Sequence, residues 1–529
     1  MARWRRAAAR FCRGMVRLAK GIYRVVFSRL FMTGLLLLLQ LGAAAFLFVV
    51  ADDRIPWLGG VGLVFSVIMC LLLIRVDDTA PEFKISWMAL FLLMPIPAGL
   101  LYLMWGDKRP SIHLRHRLSR EARRIEPLRT QRPEVMAQLE AQNPRAALTA
   151  HYLLQNGPFP VYGGSEAVYY PSGEDAFAAM LPALAAAEHF IFVEYFIIGL
   201  GTMWDQIHDI LRAKAAAGLD VRVIYDDVGS VSVLPLNYWK KLEAEGIHSL
   251  PFHPFVPALN LVMNHRDHRK ILVIDGHTAF TGGYNLADEY VNRIRRFGYW
   301  KDSGLRVRGE AAWSYTTMFL EFWNASRPTD ADLSIFRPER HQKMPYCCKG
   351  FLQPFADSPV DKELVGKSVY LELIAQAQRT LAISTPYLIL DDDIRFALTL
   401  AAKRGVRVDL YTPGVPDKKL AYQLTRSYFP SLIEAGVRVW RYDPGFLHAK
   451  TWLVDDKVGC VGSINLDYRS LYLHFESSTL LYGCAALRGV RADLNAIRAA
   501  STELTAAACR TGFFGTLLSA LLRTMAPLF

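Results

Sequence analysis

The sequence predicts an α/β protein of two similar lobes, each a mixed sheet flanked by helices, following an N-terminal transmembrane helical region. Three observations carry this. First, a polar pattern is written twice: His268, Lys270, Asp275 and Asn285 recur with identical spacing as His448, Lys450, Asp455 and Asn465. Second, short apolar runs alternate with helical stretches around each copy, in the order of βαβ units. Third, three long apolar segments follow one another before residue 106. One H-x-K arises readily by chance. Two copies agreeing at four polar positions over eighteen residues indicate a duplicated domain, each half supplying one His-Lys pair.

A chain of 529 residues has room for a membrane anchor and two or three domains. Its 61 Lys+Arg against 49 Asp+Glu leave a net charge of +12. That excess suits an anionic partner, membrane surface or nucleic acid, without choosing between them. Seven cysteines with no C-x-x-C spacing argue against a disulfide framework or a zinc site, and the adjacent Cys347 and Cys348 read as ordinary reduced thiols.

Residues 1–30 carry nine Lys or Arg interleaved with Trp4, Phe11, Val16, Leu18, Ile22 and Tyr23. They form either a basic amphipathic helix on anionic lipid or a cytoplasmic tail that sets topology. Phe31 to Ala51 is long enough to span a bilayer, and no small-residue cleavage site ends it. Trp57 to Ile74 is a second candidate span, joined to the first by the turn at Asp52 to Pro56. The third apolar segment, Ile85 to Trp105, is broken by Pro95 and Pro97 and reads as a kinked span or a re-entrant element. Trp87, Tyr102 and Trp105 stand where aromatic residues anchor interfaces. Basic runs before Phe31 and after Gly106 both favour the cytoplasm, which requires an even number of crossings. The third segment is therefore expected not to cross fully, leaving the lobes on the cytoplasmic face of a multi-pass membrane protein.

From Lys108 to Pro144 the chain is Arg-rich and predicts a juxtamembrane helix or linker. Its charges either hold the next domain on anionic headgroups or form a solvated helix face. The expected divisions are a basic tail (1–30), a membrane-anchoring region (31–106), a basic linker (107–150), a first lobe (151–340) and a second lobe with a helical tail (341–529). In the first lobe the pattern predicts a helix over 175–187, a buried strand in HFIFVEYFII, a helix over 203–217, a strand in VRVIYDDVGS and a helix over 236–246. The second lobe repeats the order: a helix over 362–377, a strand in RTLAISTPYLI, a helix over 391–404, a strand in VRVDLYTP and a helix over 418–436.

Each half then reaches its hairpin. Asp275-Gly276 between apolar runs is a strong turn signal. Along a strand over 268–274, side chains alternate faces, so His268 and Lys270 share one. Asp275 has the opposite parity and sits at the turn, where it braces the hairpin rather than touching substrate. Packing the two hairpins together would put two histidines and two lysines in one cleft. A phosphodiester repels anionic nucleophiles and has a poor leaving group. One neutral imidazole can attack phosphorus while a second, protonated, delivers a proton to the departing oxygen. Lysines and asparagines supply charge and donors to the phosphoryl oxygens. At about 4 Å and an effective dielectric near 20, each lysine is worth about 4 kcal/mol of Coulomb energy.

These paired motifs resemble the HxKxxxxD signatures of the phospholipase D superfamily, so the predicted halves are phospholipase D-type lobes. More narrowly, NHRDHRKILVIDG with TGGYNLADEY and FGYWKD, FLHAKTWLVDD with VGSINLDYRS, and IFVEYFI with VRVIYDDVGS are similar to bacterial cardiolipin synthases of that superfamily. FKISWMALFLLMPIPAGLLYLMWG is similar to the short N-terminal domain of those enzymes. The resemblance covers about residues 70 to 480; the first thirty residues and the tail after about 485 have little counterpart. One departure is His474, where the family usually has Asn. The resemblance implies a catalytic set of His268, Lys270, Asp275, His448, Lys450 and Asp455, with Asn285, Asn465 and Ser463 toward the phosphate. It implies His268 as nucleophile and His448 as general acid and base. It further implies phosphatidyl transfer from one phosphatidylglycerol to another through a phosphohistidine, with neither cofactor nor metal. The expected partners are phosphatidylglycerol and anionic membrane lipid, not nucleic acid.

A nucleophilic imidazole needs its other nitrogen held by an acceptor. Glu476 and Asp302 each follow their motif's Gly-x-x-Asn or Gly-Gly-x-Asn loop at the start of the next strand, and are expected either to accept from a motif histidine or to bond backbone or Arg. Weaker candidates remain. His265 and His268 have an H-x-x-H spacing but no acidic or thiol partner at metal spacing. Glu194, in an apolar strand, is a cleft residue or half of an ion pair. Asp226-Asp227 most simply cap a turn. A water-using phospholipase D would show the same motifs, and so would a nuclease, which the apolar segments disfavour. An inert membrane scaffold is opposed by two intact motifs.

Overall fold

The structure, a computed structural model, describes residues 58–76, 81–95, 112–253, 265–341, 348–361, 363–510 and 512–526, with positions 42, 98, 99, 102 and 346. The expected basic tail, the first candidate span and the turn at Asp52 to Pro56 lie outside the described residues, apart from position 42. The described residues fall into two compact units, one before position 108 and one after it.

In the first unit, α1 (Leu58–Ile74) and α2 (Pro81–Leu93) pair through Met69, Leu73, Phe91 and Ala98. Ser66 Oγ donates to the carbonyl of Phe91, and Trp87 meets Tyr102 edge-on at 5.2 Å. α1 carries no charge, and Val61, Leu63, Val64, Val67 and Leu71 on it are exposed. Among the described residues no helix is long and apolar enough to cross a membrane. The expected span at Trp57 to Ile74 is a helix of 17 residues, about 26 Å at 1.5 Å per residue. In the third apolar segment α2 stops at Leu93, two residues before Pro95, whose ring cannot continue a helix.

The second unit opens with three helices where a juxtamembrane helix or linker was expected: α3 (Ile112–Ile125), α4 (Pro133–Gln142) and α5 (Pro144–Asn156). α3 buries Leu114, Leu118 and Ile125, and beyond it Arg129 donates to Thr317 at 3.0 Å and pairs with Glu321 at 3.2 Å. The Arg-rich stretch is thus part of the folded unit. Its buried face is the apolar stripe Leu114, Leu118 and Ile125.

Next come β1 (Tyr162–Gly163), β2 (Glu166–Tyr170), β3 (Phe190–Tyr195), β4 (Asp220–Asp226), β5 (His248–Phe252), β6 (Lys270–Ile274), β7 (Thr278–Gly282), β8 (Tyr299–Lys301) and β9 (Gly304–Arg308). The second half adds β10 (Phe351–Asp357), β11 (Thr380–Ser384), β12 (Arg407–Pro413), β13 (Arg438–Tyr442), β14 (Gly445–Leu447), β15 (Thr451–Val454), β16 (Val458–Gly462), β17 (Glu476–Tyr482) and β18 (Ser501–Glu503). The first sheet runs β2-β9-β7-β6-β3-β4-β5 and the second β1-β10-β17-β16-β15-β11-β12-β13-β18.

The duplication is visible in the order: β9-β7-β6-β3-β4-β5 matches β17-β16-β15-β11-β12-β13. In both, three strands are parallel and the hairpin lies antiparallel beside the first of them. The predicted helices between these strands form at Gly173–Ala185, Thr202–Ala216, Tyr238–Ala244, Val365–Gln376, Asp392–Lys403 and Lys419–Glu434. The helix Ala312–Ser326 is buried over nearly its whole length because it packs on β3, β6 and β7 of one sheet and β10 of the other. β1 lies in the first half of the sequence yet pairs with β10 in the second sheet. The halves are therefore interleaved rather than strung in series.

Both hairpin turns need left-handed backbone. Asp275 and Gly276 have φ of 48° and 67°, and Asp455 and Asp456 have 50° and 61°. Asp is among the few residues that adopt this region readily. At Gly276 a Cβ would also lie 2.3 Å from the carbonyl oxygen of Phe336, which leaves no other residue type there.

Candidate active site

Two exchanges of backbone between the halves build the site. β8 of the first half pairs in parallel with β14 of the second, and His448 N donates to the carbonyl of Lys301 at 2.7 Å. Reciprocally, Asp267 bridges to Phe475, and His268 N donates to the carbonyl of Phe475 at 2.9 Å. Each motif histidine therefore stands just before its hairpin strand, against the segment of the other half that precedes a carboxylate.

The carboxylates cross over accordingly. His268 Nδ1 lies 2.9 and 3.0 Å from the two oxygens of Glu476, and His448 Nδ1 lies 2.7 Å from Asp302 Oδ2. All four side chains are nearly or fully buried. Glu476 also accepts from Ser463 Oγ and, at 2.7 Å, from Ser470 Oγ. Asp302 accepts from Ser303 N at 2.9 Å and from the indole of Trp300 at 3.4 Å. The shorter aspartate is admitted by Gly283, where a Cβ would fall 2.2 Å from Asp302 Oδ1. Ser463 occupies the equivalent place in the second half.

The lysines lie on the histidines. Lys270 Nζ donates to the carbonyl of His268, and Lys450 Nζ donates to that of His448 at 2.6 Å while lying 3.0 Å from both ring nitrogens. Rings enclose the imidazoles: Phe196 at 5.0 Å and His474 at 5.6 Å from His268, and Trp300 at 5.2 Å and Tyr290 at 5.6 Å from His448.

Electrostatics tie the halves into one site. Burial pushes His268 well below the usual imidazole range, with Lys270, His474, Lys450 and His448 adding to it. Burial and then Lys450 lower His448 to about 4, against the pull of Asp302. Burial brings Lys270 down to about 7 and Lys450 to about 8. The two acceptors diverge. Burial would raise both, but His448 and Lys450 hold Asp302 below its ordinary value, whereas Glu476 is lifted well above its own.

Asp275 and Asp455, placed with the catalytic set by resemblance, stand at the hairpin turns, where their carboxylates cap backbone N–H groups. Asp275 accepts from the backbone N–H of Glu188, His189 and Phe190 at 2.8 to 2.9 Å, and Asp455 from those of Gln378, Arg379 and Thr380 at 2.8 Å. Seven residues of extended chain carry them to the far end of the sheet from the imidazoles. Ser463, expected at the phosphate, has its hydroxyl engaged on Glu476 and the carbonyl of Ser477. Asn285 has its amide oxygen on Ile197 N at 3.0 Å and an N–H on Tyr290 at 2.9 Å. Asn465 is buried with its side-chain oxygen unpartnered.

Glu194 forms an ion pair with Arg269, which also pairs with Asp267 at 3.1 Å and covers the Phe322 ring at 3.6 Å. Asp226 caps the turn after β4 through Gly229 N at 2.8 Å and pairs with Arg266 at 3.2 Å. The His265–His268 spacing makes no joint site, since His265 Nδ1 donates to the carbonyl of Leu473. The group among the described residues that could hold a metal is His268, His474 and Glu476, with ligand atoms within 4.8 Å of one another. Sequence reasoning missed Ser470, which leaves no signal, and Trp300, which does. Trp300 precedes Asp302 by two residues as His474 precedes Glu476, so the two are counterparts beside the two imidazoles.

The protein-family model described as "Cardiolipin synthase, PLD-like domain" matches residues 180–300 and 370–497. An uncharacterised Streptococcus mutans protein is 40% identical over 450 residues, 84% of this chain and 96% of that one. A cardiolipin synthase of Geobacillus sp. is 34% identical over 466 residues, 86% of this chain and 90% of that one. Among solved structures, phosphatidylserine synthase of Haemophilus influenzae is similar in fold, with a TM-score of 0.53 and 19% identity over 72% of this chain and 97% of that one.

Proposed function

The chain belongs to the cardiolipin synthase family of phospholipase D-like proteins, and from that premise we propose that it joins two phosphatidylglycerol molecules into cardiolipin. In the first half-reaction one imidazole attacks the donor's phosphorus and the bond to its glycerol breaks. The leaving oxygen takes a proton from the other imidazole, so glycerol departs and a phosphatidyl-histidine remains. In the second, the free hydroxyl of another phosphatidylglycerol gives its proton back to the second imidazole and displaces the histidine. One phosphodiester replaces another, so the exchange balances without nucleotide or oxidant.

One observation supports this reading most: each imidazole has its Nδ1 on a carboxylate and a lysine at its side. Nε2 is then the nitrogen left for phosphorus, or for the proton of the leaving oxygen. Lys270 and Lys450 supply the charge that a phosphorane's oxygens need.

The resemblance assigns His268 as nucleophile and His448 as acid and base. A second reading exchanges the roles, and one observation favours it. Asp302 stays ionised and leaves His448 a neutral Nδ1–H tautomer with its lone pair on Nε2, beside Lys450, whereas Glu476 is the acceptor that more readily carries a proton beside His268.

Membrane attachment belongs to the same proposal. α1 is apolar on every side, with most of its large side chains exposed, which fits a lipid environment better than water. The lobes are proposed to face the cytoplasm. Labelling of a cysteine engineered into residues 112–125 by an impermeant reagent in intact cells would overturn that orientation. For the reaction, the purified full chain in phosphatidylglycerol vesicles should yield cardiolipin and free glycerol by mass spectrometry. Phosphatidic acid as main product would make it a hydrolase, and no turnover would leave a scaffold.

A further inference from the structure

The helix Phe513–Thr524 is mounted inside out. Gly515, Ser519 and Leu522, one stripe at i, i+4 and i+7, turn toward the catalytic unit and are half-buried or buried. The opposite face carries Phe513, Phe514, Leu517 and Leu521, with the phenylalanines 79% and 83% exposed. A helix on a water-soluble surface ordinarily does the reverse. Its attachment is partly polar: besides the buried Leu522, Arg523 donates to the hydroxyl of Ser427 at 3.1 Å and to the Ser427 carbonyl, and covers the ring of Tyr428 at 4.7 Å. Nothing in that attachment requires two phenylalanines and two leucines on the outside.

Beside the apolar face lies a cavity of about 590 Å³, between this helix and Lys419–Glu434. Arg426, Arg510 and Arg523 line it, and no carboxylate does. Arg510 also reaches Glu434 at 3.1 Å at the exposed rim. Leu518 belongs both to the cavity wall and to the exposed apolar surface, so cationic cavity and apolar face share an edge. An apolar ridge bordered by arginines matches one class of ligand: acyl chains joined to an anionic headgroup.

We propose that Phe513–Thr524 is a lipid-binding element separate from the catalytic site, lying in the interface of an anionic bilayer. Its phenylalanines and leucines enter the acyl region, and Arg426, Arg510 and Arg523 receive a phospholipid phosphate. A second copy of the chain is a poorer occupant. Two such faces related by a twofold axis would bring the arginine clusters toward each other, with Glu434 already paired to Arg510 and no carboxylate lining the cavity itself.

The test places photoreactive benzoylphenylalanine at position 514 of the full chain, reconstituted in phosphatidylglycerol or phosphatidylcholine vesicles. The expected result is a phospholipid adduct at 514 in phosphatidylglycerol, falling at least about tenfold when Arg426→Gln and Arg510→Gln are combined. Adducts to a second chain, adducts to neither, or equal lipid yields in the two vesicle types would each overturn the proposal. The substituted side chains are exposed, so the fold is not at stake. The readout does not depend on turnover, so it stands or fails apart from the proposed reaction.

Discussion

Glu476, from the second half of the chain, holds Nδ1 of His268, from the first, at 2.9 Å. The reciprocal pair, Asp302 with His448, closes at 2.7 Å. Neither half contains a finished histidine, so the site exists only when both halves are folded against each other. The consequences can be measured.

Removing the acceptor of one imidazole should disable chemistry in the other half. Glu476→Gln and Asp302→Asn are each expected to lower turnover by roughly 10²-fold, the scale of lost acid-base support, with thermal unfolding still cooperative. Turnover unchanged in either variant would remove that carboxylate from the mechanism.

The order of the histidines is decided by trapping. With a donor carrying an activated leaving group, His448→Ala is expected to form some phosphatidyl-enzyme and His268→Ala none, with the wild-type adduct on residue 268. A wild-type adduct found on residue 448 would reverse the roles.

Binding of an anionic diester should weaken as pH rises. In the empty site Lys270 titrates at about 7 and Lys450 at about 8, so both are charged below this range and both lose their proton above it. A bound phosphodiester favours the charged lysines, and binding must then take up protons. Affinity for glycerophosphoglycerol, whose charge is fixed, should fall by up to about tenfold per pH unit per lysine between pH 7 and 9. Calorimetry in buffers of different ionisation enthalpy should show proton uptake. The sign for folding is opposite. The unfolded lysines titrate near 10.5, so the unfolded chain binds more protons from pH 7 upward, and the free enzyme should gain stability as pH rises through that window.

Asp275→Asn should damage folding and spare chemistry. Its carboxylate accepts three backbone N–H groups at the head of β3, and a loss of about 1 to 3 kcal/mol is expected in denaturant titration, with turnover per folded molecule little changed. A loss of turnover with unaltered stability would return Asp275 to the catalytic set.

Burial and then Lys270 lower the pKa of His268, and His474, 5.6 Å away, adds to them. His474→Asn should therefore raise it and move the limb of the pH–rate profile that His268 governs to higher pH. The limb governed by His448, which has Trp300 in the equivalent place, should stay where it is.

The sequence by itself determined whatever is set by spacing along one strand. Two residues of separation put His and Lys together, seven carried Asp275 and Asp455 to the turn, and parity alone argued that Asp275 braces rather than reacts. The repeated order of strands and helices announced two lobes of one fold. Glu476 was legible as a costly carboxylate in apolar surroundings that needs a partner, and Asp302 as its match after the first motif. Which histidine each would meet was not legible, because the partners lie 208 and 146 residues away in the chain. That choice is made by the pairing of β8 with β14 and of Asp267 with Phe475, contacts between halves that no local pattern encodes. The same distance effect governs the partners of the other expected site residues. Ser463 and Asn285 have the chemistry of phosphate ligands, and only the folded neighbours, Glu476 for one and Ile197 and Tyr290 for the other, decide that their hydrogen bonds are already taken.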